Sequence, residues 1–254
     1  MSQLLNYKLE GEGHTIVLIH GLFGNLDNLG LLARNLKQDH QVVSVDLRNH
    51  GQSFHSTQHN YQAQAEDVKA LLLHLKIERF TLVGHSMGGK VAIKVAEWLE
   101  HMVEKLVVLD MAPVHYTQNR HSNVFSGLKA VEAAKPSSRK EALELLAQHI
   151  ELEGVRQFLG KSLYKHDDYL AWRFNVQNLW DNYQDILGWE TIQTINTPTL
   201  FVKGANSDYL LAEHQPQIQA QFSQAKAHII ANTGHWLHAE KPDEVLRTIR
   251  KFIA

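Results

Sequence analysis

The chain has 254 residues, 44% of them hydrophobic and 20% charged, with a formal net charge of -2. That suffices for one large α/β domain with a packed core, and it excludes wholesale disorder and any overall pull toward nucleic acid. There are 0 cysteines, which excludes disulfides, a thiol nucleophile and thiolate metal sites and fits a reducing compartment.

Residues 1–10 carry no basic stretch followed by an apolar one, so no leader is read there. No run nears the roughly 18 apolar residues that span a bilayer. A cytoplasmic protein with no membrane partner is expected.

The first strand predicted is 15–20 (TIVLIH), which runs into the turn His20-Gly21-Leu22-Phe23-Gly24. A second, 41–46 (QVVSVD), leads into Leu47-Arg48-Asn49-His50-Gly51. A helix over 61–75 gathers Val68, Leu71, Leu72 and Leu75 on one side. The strand 80–83 (FTLV) is followed by Gly84-His85-Ser86-Met87-Gly88 and a helix over 90–99. Strands at 106–110 (LVVLD), 199–203 (TLFVK) and 226–230 (KAHII) complete the set. The last helix opens at Pro242, where a missing N–H does no harm, and buries Val245, Leu246, Ile249 and Phe252. These strand runs read as apolar on both faces, as strands covered by helices on two sides should. Their alternation with amphipathic helices predicts an α/β fold with a mostly parallel sheet.

The interval 114–189 breaks the rhythm. It reads as several helices, for example 139–149 and 154–163, and turns aromatic toward its end with Trp172, Phe174, Trp180 and Trp189. It is far too long for a strand-to-helix connection. The expected organisation is a core made of 1–113 and 190–254 with a helical lid, 114–189, inserted between two strands.

Residues 84–88 match G-x-S-x-G, and their place between a strand and a helix is what a nucleophile elbow requires. The turn projects the Ser86 hydroxyl above the sheet edge. The Met87 N–H, at the start of the helix, is a free donor aimed at the same spot. Acyl transfer needs a second donor for the developing oxyanion, and the Leu22 N–H of the glycine-rich turn is the candidate. Phe23 and Leu26 of that turn either line an acyl pocket or belong to the core.

The general base should follow the last strand, where Asn232-Thr233-Gly234-His235-Trp236 lies. His235 is the candidate and His238 its rival, while His20, His50 and His85 are read as hydrogen-bonding within loops. The acid that orients the imidazole is Asp110, at the end of LVVLD, or Asp208, in the loop after TLFVK. Both preserve the order Ser, acid, His, and position alone does not choose. Among the 17 histidines no third ligand accompanies His235 and His238, so neither a metal nor an organic cofactor is expected.

These blocks carry a family resemblance that covers nearly the whole chain. It resembles the α/β-hydrolases and, more narrowly, is similar to small bacterial esterases related to acyl-CoA-hydrolysing enzymes. The HGLFG turn, the run Asp46 to Ser53 (DLRNHGQS), GHSMGG, LDMAP at 109–113 and GHWLHAEKP at 234–242 carry it. The resemblance implies that Asp110 is the acid and that 114–189 caps the site. It also implies that Asp46, Arg48 and His50 shape the fold rather than act in the chemistry.

The expected activity is hydrolysis of a small-molecule ester or thioester, acyl-CoA included, through an acyl-enzyme. Arg120, Arg139, Lys140, Arg156, Lys161 and Arg173 either meet a phosphate-bearing leaving group or form a solvated face. A C–C bond hydrolase or lyase with the same constellation, and a ligand-binding protein on the same scaffold, are the competing readings.

Overall fold

A computed structural model describes residues 3–254. The first half of the chain alternates strands and helices: β1 (Tyr7–Glu10), β2 (Thr15–Ile19), α1 (Gly30–Leu36), β3 (Gln41–Val45), α2 (Tyr61–His74), β4 (Phe80–His85), α3 (Met87–Trp98) and β5 (Val103–Leu109). Then come α4 (Ser122–Ala134), α5 (Arg139–Ala147), α6 (Glu153–Gly160), β6 (Leu163–His166), β7 (Tyr169–Trp172), α7 (Val176–Asp181) and α8 (Tyr183–Leu187). The chain closes with β8 (Thr199–Gly204), α9 (Gln215–Gln221), β9 (Ala225–Ile230), α10 (Leu237–Glu240) and α11 (Pro242–Ile253).

Seven strands form one sheet in the order β1-β3-β2-β4-β5-β8-β9. Only β1 runs antiparallel to its neighbour; the remaining pairs are parallel. The two-residue period of a strand sorts the buried side chains onto two faces. Val17, Ile19 and Leu82 join the core under α2 and α3. Ile16, Leu18 and Val83 join the core under α1 and α11. Parallel pairing brings the carboxyl ends of β2, β3, β4, β5, β8 and β9 to one edge, where the loops carrying Leu22, Asp46, Ser86, Asp110, Ser207 and His235 emerge.

Four features differ from the sequence reading. β1 (YKLE) and α1 carry signals too short to register, and β1 is largely exposed at the sheet's edge. β9 is also an edge strand, with only Ile230 buried and Ile229 60% exposed, so it is not apolar-covered on both faces. The helix expected over 154–163 stops at Gly160, because Leu163 begins the hairpin β6–β7. The 114–189 interval is therefore not wholly helical. Its tight turn places Asp167 at φ 52, a region that Asp tolerates better than most residues.

This interval leaves the core between the adjacent strands β5 and β8, and buried polar side chains hold both of its ends. The Gln221 amide donates to Pro113 O (3.0 Å) and accepts from Trp189 Nε1 (2.8 Å) and Ile192 N (3.2 Å). Lys90, fully buried on α3, donates to Leu187 O (3.1 Å) and Gly188 O (2.8 Å). Its ammonium lies 4.8 Å from the Tyr116 ring centroid, and burial pushes its pKa down to about 7. Among the described residues no helix is long and apolar enough to cross a membrane.

Candidate active site

Ser86 sits where β4 turns into α3 and has φ 54, a strained conformation for a residue with a side chain. Backbone packing enforces it. A Cβ at Gly88 would lie 2.3 Å from His20 O and 2.4 Å from Ile19 O, so only glycine lets the elbow approach β2 this closely. The Ser86 N–H donates to Leu109 O (3.0 Å), which ties the elbow to the end of β5.

The His235 Nε2 lies 2.9 Å from Ser86 Oγ, and its Nδ1 lies 2.7 Å from Asp110 Oδ2. Asp110 is fully buried and accepts from Gly204 N (3.0 Å) and from the Ser207 hydroxyl. A carboxylate only accepts, so Nδ1 carries the imidazole proton and the Nε2 lone pair faces the serine hydroxyl. The Tyr209 ring stacks on the imidazole at 3.9 Å and 21°. His85 Nε2–H donates to His235 O (2.9 Å), which holds the backbone of the same loop.

The two candidate acids are thus placed differently. Asp208 points outward, 66% exposed, and pairs with Arg120 at 2.5 Å. His238 is buried and bonds neither Ser86 nor Asp110; its ring lies 4.2 Å from that of His85, and burial pushes its pKa down to about 3. Ser207 and Tyr209 had no signal of their own in the sequence. They share the 204–209 loop with Asp208, and only folding shows which residues of that loop turn inward.

Leu22 and Met87 flank Ser86. A Cβ on Gly21 would lie 3.0 Å from Ser86 Cβ, so the HGLFG turn passes directly over the serine. Neither the Leu22 nor the Met87 N–H has a protein acceptor among the described residues. The direction of the Leu22 N–H is fixed from the other end of its planar trans peptide. Gly21 O accepts from His20 Nδ1–H (2.7 Å) and Gly24 N (3.1 Å), which turns the Leu22 N–H the opposite way. His20 Nε2 in turn accepts from Leu47 N (3.0 Å), so its tautomer is set.

Asp46, Arg48 and His50 lie in the loop that braces this turn. Asp46 accepts from Leu26 N (2.7 Å), Gln52 N (2.8 Å) and Asn6 Nδ2 (2.7 Å). Arg48 makes a buried fork with Asp67 at 2.6 and 2.9 Å. His50 accepts from Phe23 N (3.1 Å).

The serine opens into a cavity of about 430 Å³, within the range of small-molecule sites. Leu22, Phe23, Val124, Ile150, Leu159 and Leu187 give it an apolar wall. Phe23 is both core and wall, whereas Leu26 is not part of the lining. Of the six cations singled out in the sequence, only Arg120 lines the cavity. Arg156 is spent on Ile150 O and Glu151 O, and Arg139 on Gln157. Among the described residues no group of three or more His, Asp, Glu or Cys side chains could hold a metal ion.

The family model for the alpha/beta hydrolase fold matches residues 14–242. The chain is 46% identical to esterase YbfF of Escherichia coli over 238 residues, 94% of this chain and 92% of the relative. It is 36% identical to the sn-1-specific diacylglycerol lipase ABHD11 of Mus musculus, over 94% of this chain and 80% of that one. Among solved structures, a marine microorganism esterase superposes with a TM-score of 0.95 at 33% identity, covering 99% of this chain and 100% of that one.

Proposed function

This chain belongs to the α/β hydrolase fold family and is an esterase, and from that premise we propose that Ser86 is its nucleophile, His235 its general base and Asp110 the acid that orients the base. The observation that carries the reading is the hydrogen-bonded line from Ser86 Oγ through His235 to Asp110, 2.9 and 2.7 Å, opening into the apolar cavity.

The chemistry follows from the geometry. His235 Nε2 takes the Ser86 proton as the hydroxyl oxygen attacks the acyl carbon. The carbonyl electron pair moves onto oxygen, where the Leu22 and Met87 N–H groups stabilise it. The intermediate collapses as His235 hands its proton to the departing alcohol or thiol. Water, deprotonated by the same imidazole, then releases the acid from the acyl-enzyme. Asp110 stays ionised and stabilises the imidazolium formed in each half-reaction.

The substrate in this reading is an ester or thioester, acyl-CoA included, whose apolar acyl group lies against Leu22, Phe23, Val124 and Leu159. The 114–189 segment is its cap. The test is Ser86→Ala assayed on p-nitrophenyl butyrate. A fall in kcat of about 10⁴-fold or more is expected from the behaviour of such constellations. Retention of more than about a tenth of the wild-type rate contradicts the assignment.

A further inference from the structure

Phe23 follows the proposed oxyanion donor Leu22 and is held from two sides. Its φ is 61, the left-handed region, which a residue with a side chain occupies only when its surroundings insist. On the core side, its N–H donates to His50 Nε2 (3.1 Å), and His50 Nδ1–H donates to Arg48 O (2.9 Å). Burial keeps His50 well below the usual histidine range, so Nε2 stays a free acceptor.

On the other side, the Phe23 carbonyl and ring meet the 114–189 segment. The carbonyl accepts from the Ser162 hydroxyl at 3.1 Å, in a buried bond across 139 residues of chain. The ring packs at 5.2 Å against Phe125 and at 5.2 Å against Phe174, with His121 at 6.0 Å. Ser162 is itself fixed between elements of that segment: its N–H donates to Leu159 O (2.9 Å) and its carbonyl accepts from Arg173 N (2.9 Å).

We infer that Phe23 couples the seating of the cap to the assembly of the oxyanion hole, with Ser162 and His50 as positioning residues acting through it. The inference rests on the proposed roles of Ser86 and Leu22. With the cap seated, both peptide planes that flank Phe23 are pinned, and Leu22 is held between the pinned carbonyl of Gly21 and the pinned N–H of Phe23. With the cap displaced, the Phe23 carbonyl and ring lose their partners together. The Phe23–Gly24 peptide plane is then held only through the Gly24 N–H, which donates to Gly21 O (3.1 Å); as that plane loosens, so does Gly21 O, and with it the aim of the Leu22 N–H at Ser86. The hole is therefore best aimed when the cap covers the bound acyl group, so covering the substrate and stabilising its oxyanion are coupled.

The experiment is steady-state hydrolysis of p-nitrophenyl butyrate by Ser162→Ala, Ser162→Thr, His50→Leu and His50→Gln. Each variant is paired with its melting temperature and with the rate at which a fluorophosphonate labels Ser86. Removing a whole oxyanion donor costs about 10²–10³ in kcat, so misaiming one should cost about tenfold. Ser162→Ala and His50→Leu are expected to lose about tenfold in kcat and in labelling rate, with KM changed less than about twofold. Ser162→Thr, which keeps the hydroxyl, and His50→Gln, which offers an acceptor, should recover most of it. The double variant Ser162→Ala/His50→Leu should lose less than the product of the singles, because both act through one residue.

The inference is overturned if Ser162→Ala turns over and labels at the wild-type rate. It is also overturned if the loss lies in KM, or if Ser162→Thr is impaired equally. Failure of the underlying reading looks different: Ser86→Ala would still be labelled or active.

Discussion

Gln221→Leu tests how the inserted segment is held. The Gln221 amide is buried and makes four bonds: to Pro113 O (3.0 Å) and Gln217 O (2.9 Å) as donor, and from Trp189 Nε1 (2.8 Å) and Ile192 N (3.2 Å) as acceptor. Three of those partners lie at the roots of the segment. Leucine is of similar size but leaves them facing an apolar chain. Each buried polar group left unsatisfied costs about 1–3 kcal/mol. Gln217 O can fall back on its own helix, and half-buried Trp189 can reach water. A net loss of about 3 kcal/mol is therefore expected, or roughly 6–12 °C in melting temperature for a chain of this size. The assay is urea denaturation together with calorimetry, with Gln217→Leu, one turn earlier and exposed, as the control expected to stay within about 0.5 kcal/mol. A Gln221→Leu loss below about 1 kcal/mol, or one no larger than the control's, would mean that the Gln221 amide does not hold the roots of the segment.

Other expectations follow from the same geometry. Asp110→Asn should lower kcat about 10⁴-fold by favouring the wrong imidazole tautomer, whereas Asp208→Asn, on an exposed carboxylate paired with Arg120, should stay within about threefold; equal losses would reverse the assignment of the acid. Gly88→Ala places a methyl 2.3 Å from His20 O, so the elbow or β2 must move, and an esterase loss of at least about 100-fold is expected. Near-normal turnover of that variant would mean the elbow is more pliable than its packing implies. Burial holds His59 and His238 at about 3 and His121 at about 4, below the 6.5 of an unperturbed imidazole. The unfolded chain therefore takes up protons first as pH falls through 6.5. Stability is fully present above that value and declines toward pH 4, each histidine adding a slope that approaches ~1.4 kcal/mol per pH unit. Melting temperatures at pH 7.5, 6 and 5 should fall in that order, and a flat series would contradict the burial argument.

Legibility in the sequence tracked burial. β2, β4, β5 and β8 each announce themselves as short apolar runs because helices cover both of their faces. β1 and β9 lie at the edges, where exposed positions dilute the pattern, and the apolar residues of KAHII belong to a strand open on its outer side. The hairpin β6–β7 escaped because its strands pair only with each other and are merely four residues each.

At the site, the GHSMG turn locates Ser86 because the backbone approach to β2 demands glycine at fixed spacing. The position of His235 follows from its place after the last strand. The choice between Asp110 and Asp208 does not follow from spacing. It depends on which loop the Gly204 N–H and Ser207 hydroxyl turn toward once β5 and β8 pair. The contacts of Phe23 were equally invisible, since one partner lies 27 residues away and the other 139.

The most direct test of the central claim is intact-mass analysis after a fluorophosphonate treatment of wild type and Ser86→Ala. One adduct per wild-type chain is expected, mapped to Ser86, and none on the variant. An adduct of equal yield on Ser86→Ala, or a wild-type enzyme that hydrolyses esters yet takes no label, would contradict it.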